Sequence, residues 1–309
     1  MTQIAVIGAG LIGRAWSIVF ARAGFDVALW DPAPDAVPAA RDFIAARLPE
    51  LRAAGLLADA PEAVLARVRP AASLAEAVAN AVHVQENGPE RVADKQALFA
   101  ALDRAAPAGA VLASSTSGIP ASAFTEALPG RARCLVAHPV NPPYLIPLVE
   151  LCPAPWTDPD ATARTRALMA QAGQVPVTVR REMAGFALNR LQGALIAEAF
   201  RLLAADAISP EDLDATVKHG LGTRWSFMGP LETIDLNAPG GLADYCARYG
   251  ALYAQMQREM TPMEWDAALV ARLHADRRVV LAESEMPARH AWRDRRLMAL
   301  AAHKKAQPE

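Results

Sequence analysis

The run Gly8-Ala9-Gly10-Leu11-Ile12-Gly13 lies between two patterns of different period, and that position constrains the fold more than any other stretch. Before it, Thr2 to Ile7 is a short apolar strand pattern, and after it Arg14 to Gly24 is helical. A strand that runs into three spaced glycines and then a helix opens a βαβ unit with a dinucleotide-binding turn. Gly8 allows the tight turn, Gly10 lets the backbone approach a pyrophosphate, and Gly13 lets helix and strand pack closely. The helix start at Leu11 and Ile12 offers free N–H groups and a positive dipole end to phosphates. Phe25 to Asp31 supplies a second strand, ending in an acid eighteen residues after Gly13. Asp31 is placed to hydrogen-bond the adenosine ribose hydroxyls and would repel a 2′-phosphate. The continuation Pro32-Ala33-Pro34-Asp35 brings no basic residue, so NAD is expected rather than NADP.

The following residues keep alternating between helix and strand. Helical stretches are expected at about Val37 to Leu57, Leu74 to Ala79, Glu90 to Ala105 and Ser122 to Leu128. Strands are expected near Val68, at Ala81 to Gln85 and at Ala110 to Ser115. Such alternation predicts a mostly parallel, doubly wound sheet with helices on both faces, whose ligands gather at the carboxyl ends of the strands. Asp160 to Gly173 and Val175 to Val179 read as the helix and strand that close this unit, giving an expected first domain at 1–183. From Met183 the pattern is helical throughout: Gly185 to Leu203, a helix opened by Ser209-Pro210-Glu211-Asp212, then Gly241 to Glu259, Pro262 to Leu273 and Ala288 to Lys304. The expected second domain, 184–309, is smaller and all-α.

A second constellation carries chemistry. Leu135-Val136-Ala137-His138 is an apolar strand ending in a histidine and the turn Pro139-Val140-Asn141-Pro142-Pro143; twelve residues after the histidine, Glu150 interrupts another apolar run. A histidine at a strand end with a carboxylate able to reach its ring suits proton transfer near neutral pH. The same pattern also fits a structural histidine beside a loop-edge glutamate. Gly8, Asp31, Ser117 and His138 all fall at expected carboxyl ends of strands, which gathers them into one site. Asn189, one turn into its helix, reads from position alone as a surface or interdomain asparagine.

A formal net charge of −2 without basic runs argues against nucleic-acid and membrane-surface partners. No apolar run approaches the roughly 18 residues of a membrane span. The three cysteines, Cys134, Cys152 and Cys246, lack C-x-x-C spacing and fit reduced thiols. The first residues read as strand rather than as a leader, so a cytoplasmic protein is expected. No His/Cys/Asp/Glu cluster has metal-ligand spacing, and no metal is expected.

Together these stretches resemble the 3-hydroxyacyl-CoA dehydrogenase family. The resemblance covers nearly the whole chain and rests on Gly8 to Gly13, Ser115-Thr116-Ser117, His138-Pro139-Val140-Asn141-Pro142, Glu150 and Gly185-Phe186-Ala187-Leu188-Asn189-Arg190. It implies that His138 is the catalytic acid/base, that Glu150 orients it, and that Ser117 and Asn189 contact substrate. It also implies that Glu90 and Lys95 lie on the nicotinamide side, and that the chain dimerises through its helical domain. Within the family, His138 to Leu151 and Gly220 to Thr233 resemble the lambda-crystallin, or L-gulonate 3-dehydrogenase, branch; Gly118 and Trp225 depart from that branch. L-carnitine dehydrogenases share the Arg224-Trp225 pair. The implied activity is NAD-dependent oxidation of a small 3-hydroxy acid. Arg224 is either the anchor for its free carboxylate or a structural ion-pair partner. The alternatives are a 3-hydroxyacyl-CoA or L-carnitine substrate, or a crystallin-like structural protein. A purely structural role would not require His138, Glu150, Ser117 and Asn189 together.

Overall fold

The computed structural model describes residues 2–307. Eight strands form one sheet: β1 (Gln3–Ile7), β2 (Asp26–Trp30), β3 (Val68–Pro70), β4 (Ala81–Glu86), β5 (Val111–Ser114), β6 (Cys134–Pro139), β7 (Leu148–Pro153) and β8 (Val175–Thr178). Their spatial order is β3-β2-β1-β4-β5-β6-β7-β8. All neighbouring pairs are parallel except β6 and β7. The chain winds outward from β1 through β3 and returns to β4, so a topological switch point lies between β1 and β4, where ligands of such sheets bind.

Seven helices accompany these strands: α1 (Leu11–Arg22), α2 (Ala36–Ala53), α3 (Pro61–Ala66), α4 (Leu74–Val78), α5 (Val92–Ala105), α6 (Ser122–Thr125) and α7 (Pro159–Gln171). Alternation along β1 shows why both faces are covered. Ile4 and Val6 enter one buried cluster with Trp16, Phe20, Ile44 and Leu48, while Ala5 and Ile7 enter another with Val78, Phe99 and Phe124. The turn α3 was absent from the sequence reading; its Pro61 at the first helical position is the signal that marks it.

The later helices are α8 (Leu188–Ala204), α9 (Pro210–Ala215), α10 (Gly222–Trp225), α11 (Pro230–Leu236), α12 (Gly241–Glu259), α13 (Ala267–Val280) and α14 (Met286–Ala306). The Ser209 cap is present, its hydroxyl accepting from Asp212 N. Two expected starts move. α8 begins at Leu188 rather than Gly185, because Gly185 and Phe186 both have positive φ, at 73° and 50°. α13 begins after the Asp266 cap, which accepts from Leu269 N, and not at Pro262.

The chain divides into two compact units, one running through Arg190 and rejoined by the segment from Arg289, the other spanning Leu191–Ala288. This differs from the expected boundary at 183/184, which assigned the whole C-terminal segment to the second domain. The last helix belongs with the sheet for a packing reason. Met298 is buried in the cluster that holds Val37, Ala40, Ile44 and Tyr144, and Lys305 Nζ donates to Gly55 O at 3.0 Å.

Candidate active site

The glycine turn follows β1. Gly8 sits at φ 92°, where a side chain would be strained, and a Cβ there would stand 2.8 Å from Asn87 O. A Cβ on Gly13 would stand 1.7 Å from Gly8 O, so only glycine lets α1 start this close to the strand. Nothing lies within 4 Å of a Cβ position on Gly10, which leaves backbone open to an approaching group. α1 begins without a side-chain cap, so the N–H groups at Leu11 and Ile12 are available to an anion. Asp31, just past β2, accepts from Ala9 N at 2.7 Å and from Ala33 N at 2.9 Å. The acid therefore also fastens the glycine turn, a role the sequence reading did not contain. Beyond it opens a cleft of about 780 Å³, lined by Trp30, Asp31, Pro34, Arg41, Pro70 and Ala71 at the ends of β2 and β3. An open glycine cradle, an uncapped helix start and an acid beside a cleft are what the pyrophosphate, ribose and adenine of NAD require.

The histidine lies on β6 and the glutamate on β7, and the antiparallel register sets His138 opposite Glu150. His138 Nδ1 is 2.9 Å from Glu150 Oε2, with side chains 6% and 1% exposed. The other carboxylate oxygen, Oε1, accepts from Ala187 N and Leu188 N, both at 2.9 Å. Those two N–H groups open α8, and the left-handed Gly185-Phe186 turn aims them at the carboxylate. Phe186 is fully buried with its ring centroid 5.6 Å from that of His138, which anchors the turn. Burial pushes the Glu150 carboxyl up, but the His138 hydrogen bond and the two backbone donors outweigh it and hold the group below the ordinary carboxylate value.

Ser117 follows β5 and is exposed. Asn189 Nδ2 donates to Ser117 O at 2.7 Å, which joins two expected substrate contacts. Glu90 Oε1 accepts from Thr116 Oγ1 at 2.5 Å, from Ser117 N at 2.9 Å and from Gly118 N at 3.3 Å. Lys95, the other residue expected on the nicotinamide side, is 1% exposed; its Nζ lies 3.0 Å from Glu86 Oε2 and 3.8 Å from Glu90 Oε2. The carboxylate of Glu86 gives an ammonium a reason to turn inward.

Sequence reasoning also missed a polar network under the site. Ser115 Oγ accepts from Trp16 Nε1 at 3.1 Å and from Gln85 Nε2 at 2.7 Å, and donates to Asn87 Oδ1 at 2.7 Å. Gln85 Nε2 also donates to Ala137 O, the residue before His138, at 3.1 Å. The available signal was Gln85-Glu86-Asn87, three consecutive polar residues at the end of β4. Arg224 lies on α10 in the second unit and is exposed.

Comparison with known proteins agrees with this geometry. The family profile "3-hydroxyacyl-CoA dehydrogenase, NAD binding domain" matches residues 3–183, and "3-hydroxyacyl-CoA dehydrogenase, C-terminal domain" matches residues 185–278. A lambda-crystallin homolog from Bos taurus is 44% identical over 311 residues, covering 99% of this chain and 97% of that protein. An L-carnitine dehydrogenase from Streptomyces griseus is 40% identical over 268 residues, covering 86% and 79%. The solved structure of an NAD+-dependent dismutase, 5-formyl-3-hydroxy-2-methylpyridine 4-carboxylic acid 5-dehydrogenase, superposes with a TM-score of 0.86 at 27% identity, covering 100% of both chains. With both profiles matched in order across the glycine cradle and the histidine strand, the chain belongs to the 3-hydroxyacyl-CoA dehydrogenase family and is an NAD-dependent oxidoreductase acting on CH–OH groups.

Proposed function

We propose that this enzyme oxidises the 3-hydroxy group of a small free carboxylic acid, of the L-gulonate kind, to the 3-keto acid, with His138 and Glu150 as its acid/base dyad. The carrying observation is the buried 2.9 Å pair between His138 Nδ1 and Glu150 Oε2. With Nδ1–H donating to the carboxylate, Nε2 keeps its lone pair and takes the hydroxyl proton. Glu150 holds that tautomer and lies where it offsets the positive charge the ring acquires. The Ser117 hydroxyl and the Asn189 amide hydrogen-bond the substrate oxygen. NAD, when bound along Gly8 to Gly13 and Asp31, supplies the hydride acceptor.

Two observations favour a small acid over a CoA thioester. The five arginines that a CoA nucleotide would need between Val37 and Ala72 already have partners. Arg41 donates to Val68 O, Arg47 pairs with Glu50, Arg52 closes on the carbonyls of Leu57 and Ala58, Arg67 takes Ala21 O and Asp59, and Arg69 takes Asp26. The L-carnitine and pyridine-carboxylic acid dehydrogenases are, in addition, named for small acids. Arg224 has a planar fork suited to bidentate binding of a carboxylate.

The test compares L-gulonate, 3-hydroxybutyrate, carnitine and 3-hydroxybutyryl-CoA on wild type and Arg224→Met. Loss of the anchor should cost on the order of 2 kcal/mol, roughly 30-fold in kcat/KM, for the preferred acid. Strong turnover of the thioester, undiminished in the variant, would overturn the small-acid reading.

The second unit supports a homodimer. Phe227, Leu231, Leu236, Trp265 and Val279 are exposed on it, while Leu203, Ala238 and Leu269 are its buried apolar residues. A helical unit with that balance calls for a partner surface, and a second copy supplies it. The free cysteines, two of them buried, fit a reducing cytoplasm.

A further inference from the structure

Lys95 and Glu86 form an ion pair to which the proton transfer proposed above gives no step. Both side chains are buried, at 1% and 0% exposure. Lys95 Nζ donates to both carboxylate oxygens of Glu86, at 3.1 and 3.0 Å. The same carboxylate accepts from Ser114 Oγ at 2.5 Å and from Gly88 N at 2.6 Å. Burying two charges is costly, and an apolar pair of similar volume often serves stability as well or better. Stability alone therefore gives no reason for these residues.

Geometry gives one. Lys95 lies one turn into α5, where Cα–Cβ bonds tilt toward the helix N-terminus, so its ammonium reaches back over the loop that joins β4 to the helix. It fastens that loop at Glu86 and again, at 3.8 Å, at Glu90 Oε2. The other oxygen of Glu90 gathers Thr116 Oγ1, Ser117 N and Gly118 N. A continuous line of charge and hydrogen bonds thus runs from the sheet interior to the backbone of Ser117. It starts from Glu86, a residue that none of the site motifs contains.

We propose that Glu86 and Lys95 are positioning residues: together they fix Glu90, whose carboxylate orders the Thr116–Gly118 turn and so sets where Ser117 stands. Neither residue touches substrate. The consequence for turnover rests on the reading of Ser117 as a substrate contact; the consequence for the turn does not.

The experiment is amide hydrogen exchange on the full chain, comparing wild type with Glu86→Gln/Lys95→Met and with Glu90→Ala. The double variant removes both charges but keeps a carbonyl for Gly88 N–H and an amide for Ser114. The Ser117 and Gly118 amides should exchange at least about tenfold faster in it, with β1 and β6 unchanged. Glu90→Ala, at a half-exposed position, should give the same local acceleration, and adding it to the double variant should give no more. Unchanged exchange at Ser117 and Gly118 would overturn the proposal. So would equal acceleration across the whole sheet, the mark of a merely structural pair. With an acid that the wild type oxidises, kcat at saturating NAD should fall about tenfold in the double variant; an unchanged kcat beside accelerated exchange would count against Ser117 as a substrate contact and leave the positioning of the turn standing. A wild type that oxidises no 3-hydroxy acid would sink the function proposed above and leave the exchange result standing.

Discussion

His83 and Gln85 project from β4 to one side of the sheet, and their pairing shows how a residue far from the chemistry feels pH. His83 Nε2 is 3.0 Å from Gln85 Oε1, and Gln85 passes the line of hydrogen bonds on to Ser115 and to Ala137 O. Burial pushes the His83 ring down to about 4, so the folded protein keeps it neutral where the unfolded chain would protonate it. A depressed folded value means that the stability it contributes is complete above the unfolded value near 6.5. That stability declines as pH falls from there toward about 4. Denaturant unfolding between pH 6.5 and 5.5 should therefore show about 1 kcal/mol of loss from this group. The loss should be absent in His83→Gln, and equal pH slopes in the two proteins would refute the assignment. Residue-scale chemistry was only partly legible in the sequence. Asp31 and His138 could be read from strand ends and Glu150 from an acid interrupting an apolar run, whereas the inward turn of Lys95 depends on Glu86, a partner no spacing rule points to.

Elements explain how the pairing of His138 with Glu150, expected from the sequence, is assembled. Alternation gave the strands, helices and parallel winding of the first unit, because buried parallel strands and half-buried helices leave different periods. The reversal at β7 was not legible. It depends on the short Pro139 to Pro147 connection returning beside β6, and that reversal sets Glu150 in register with His138. The start of α8 shows the same limit. Helical spacing runs straight through Gly185 and Phe186, yet both take positive φ, because that turn delivers the N–H groups of Ala187 and Leu188 to Glu150. Local pattern loses here to a tertiary hydrogen bond, as functional sites lead one to expect.

At the scale of the molecule, the two units divide the labour in their own sequences. The first unit buries its apolar residues on both faces of a sheet and recovers α14 for the same core. The second leaves Val279 and Phe227 as its most exposed large apolar side chains. Periodicity marks which helix positions are apolar but not whether their cover comes from the same chain, so the return of α14 could not be read in advance. Sedimentation equilibrium at micromolar concentration should give twice the chain mass; a monomer there would contradict the proposed second copy. Proton abstraction by the proposed His138–Glu150 dyad is read out by NADH formation in wild type and His138→Gln, measured beside NAD affinity. Turnover of the preferred hydroxy acid should fall by about 10²–10⁴ in the variant with NAD affinity nearly unchanged. Retained turnover, or a loss of NAD binding equal to the loss of turnover, would contradict that role for the dyad.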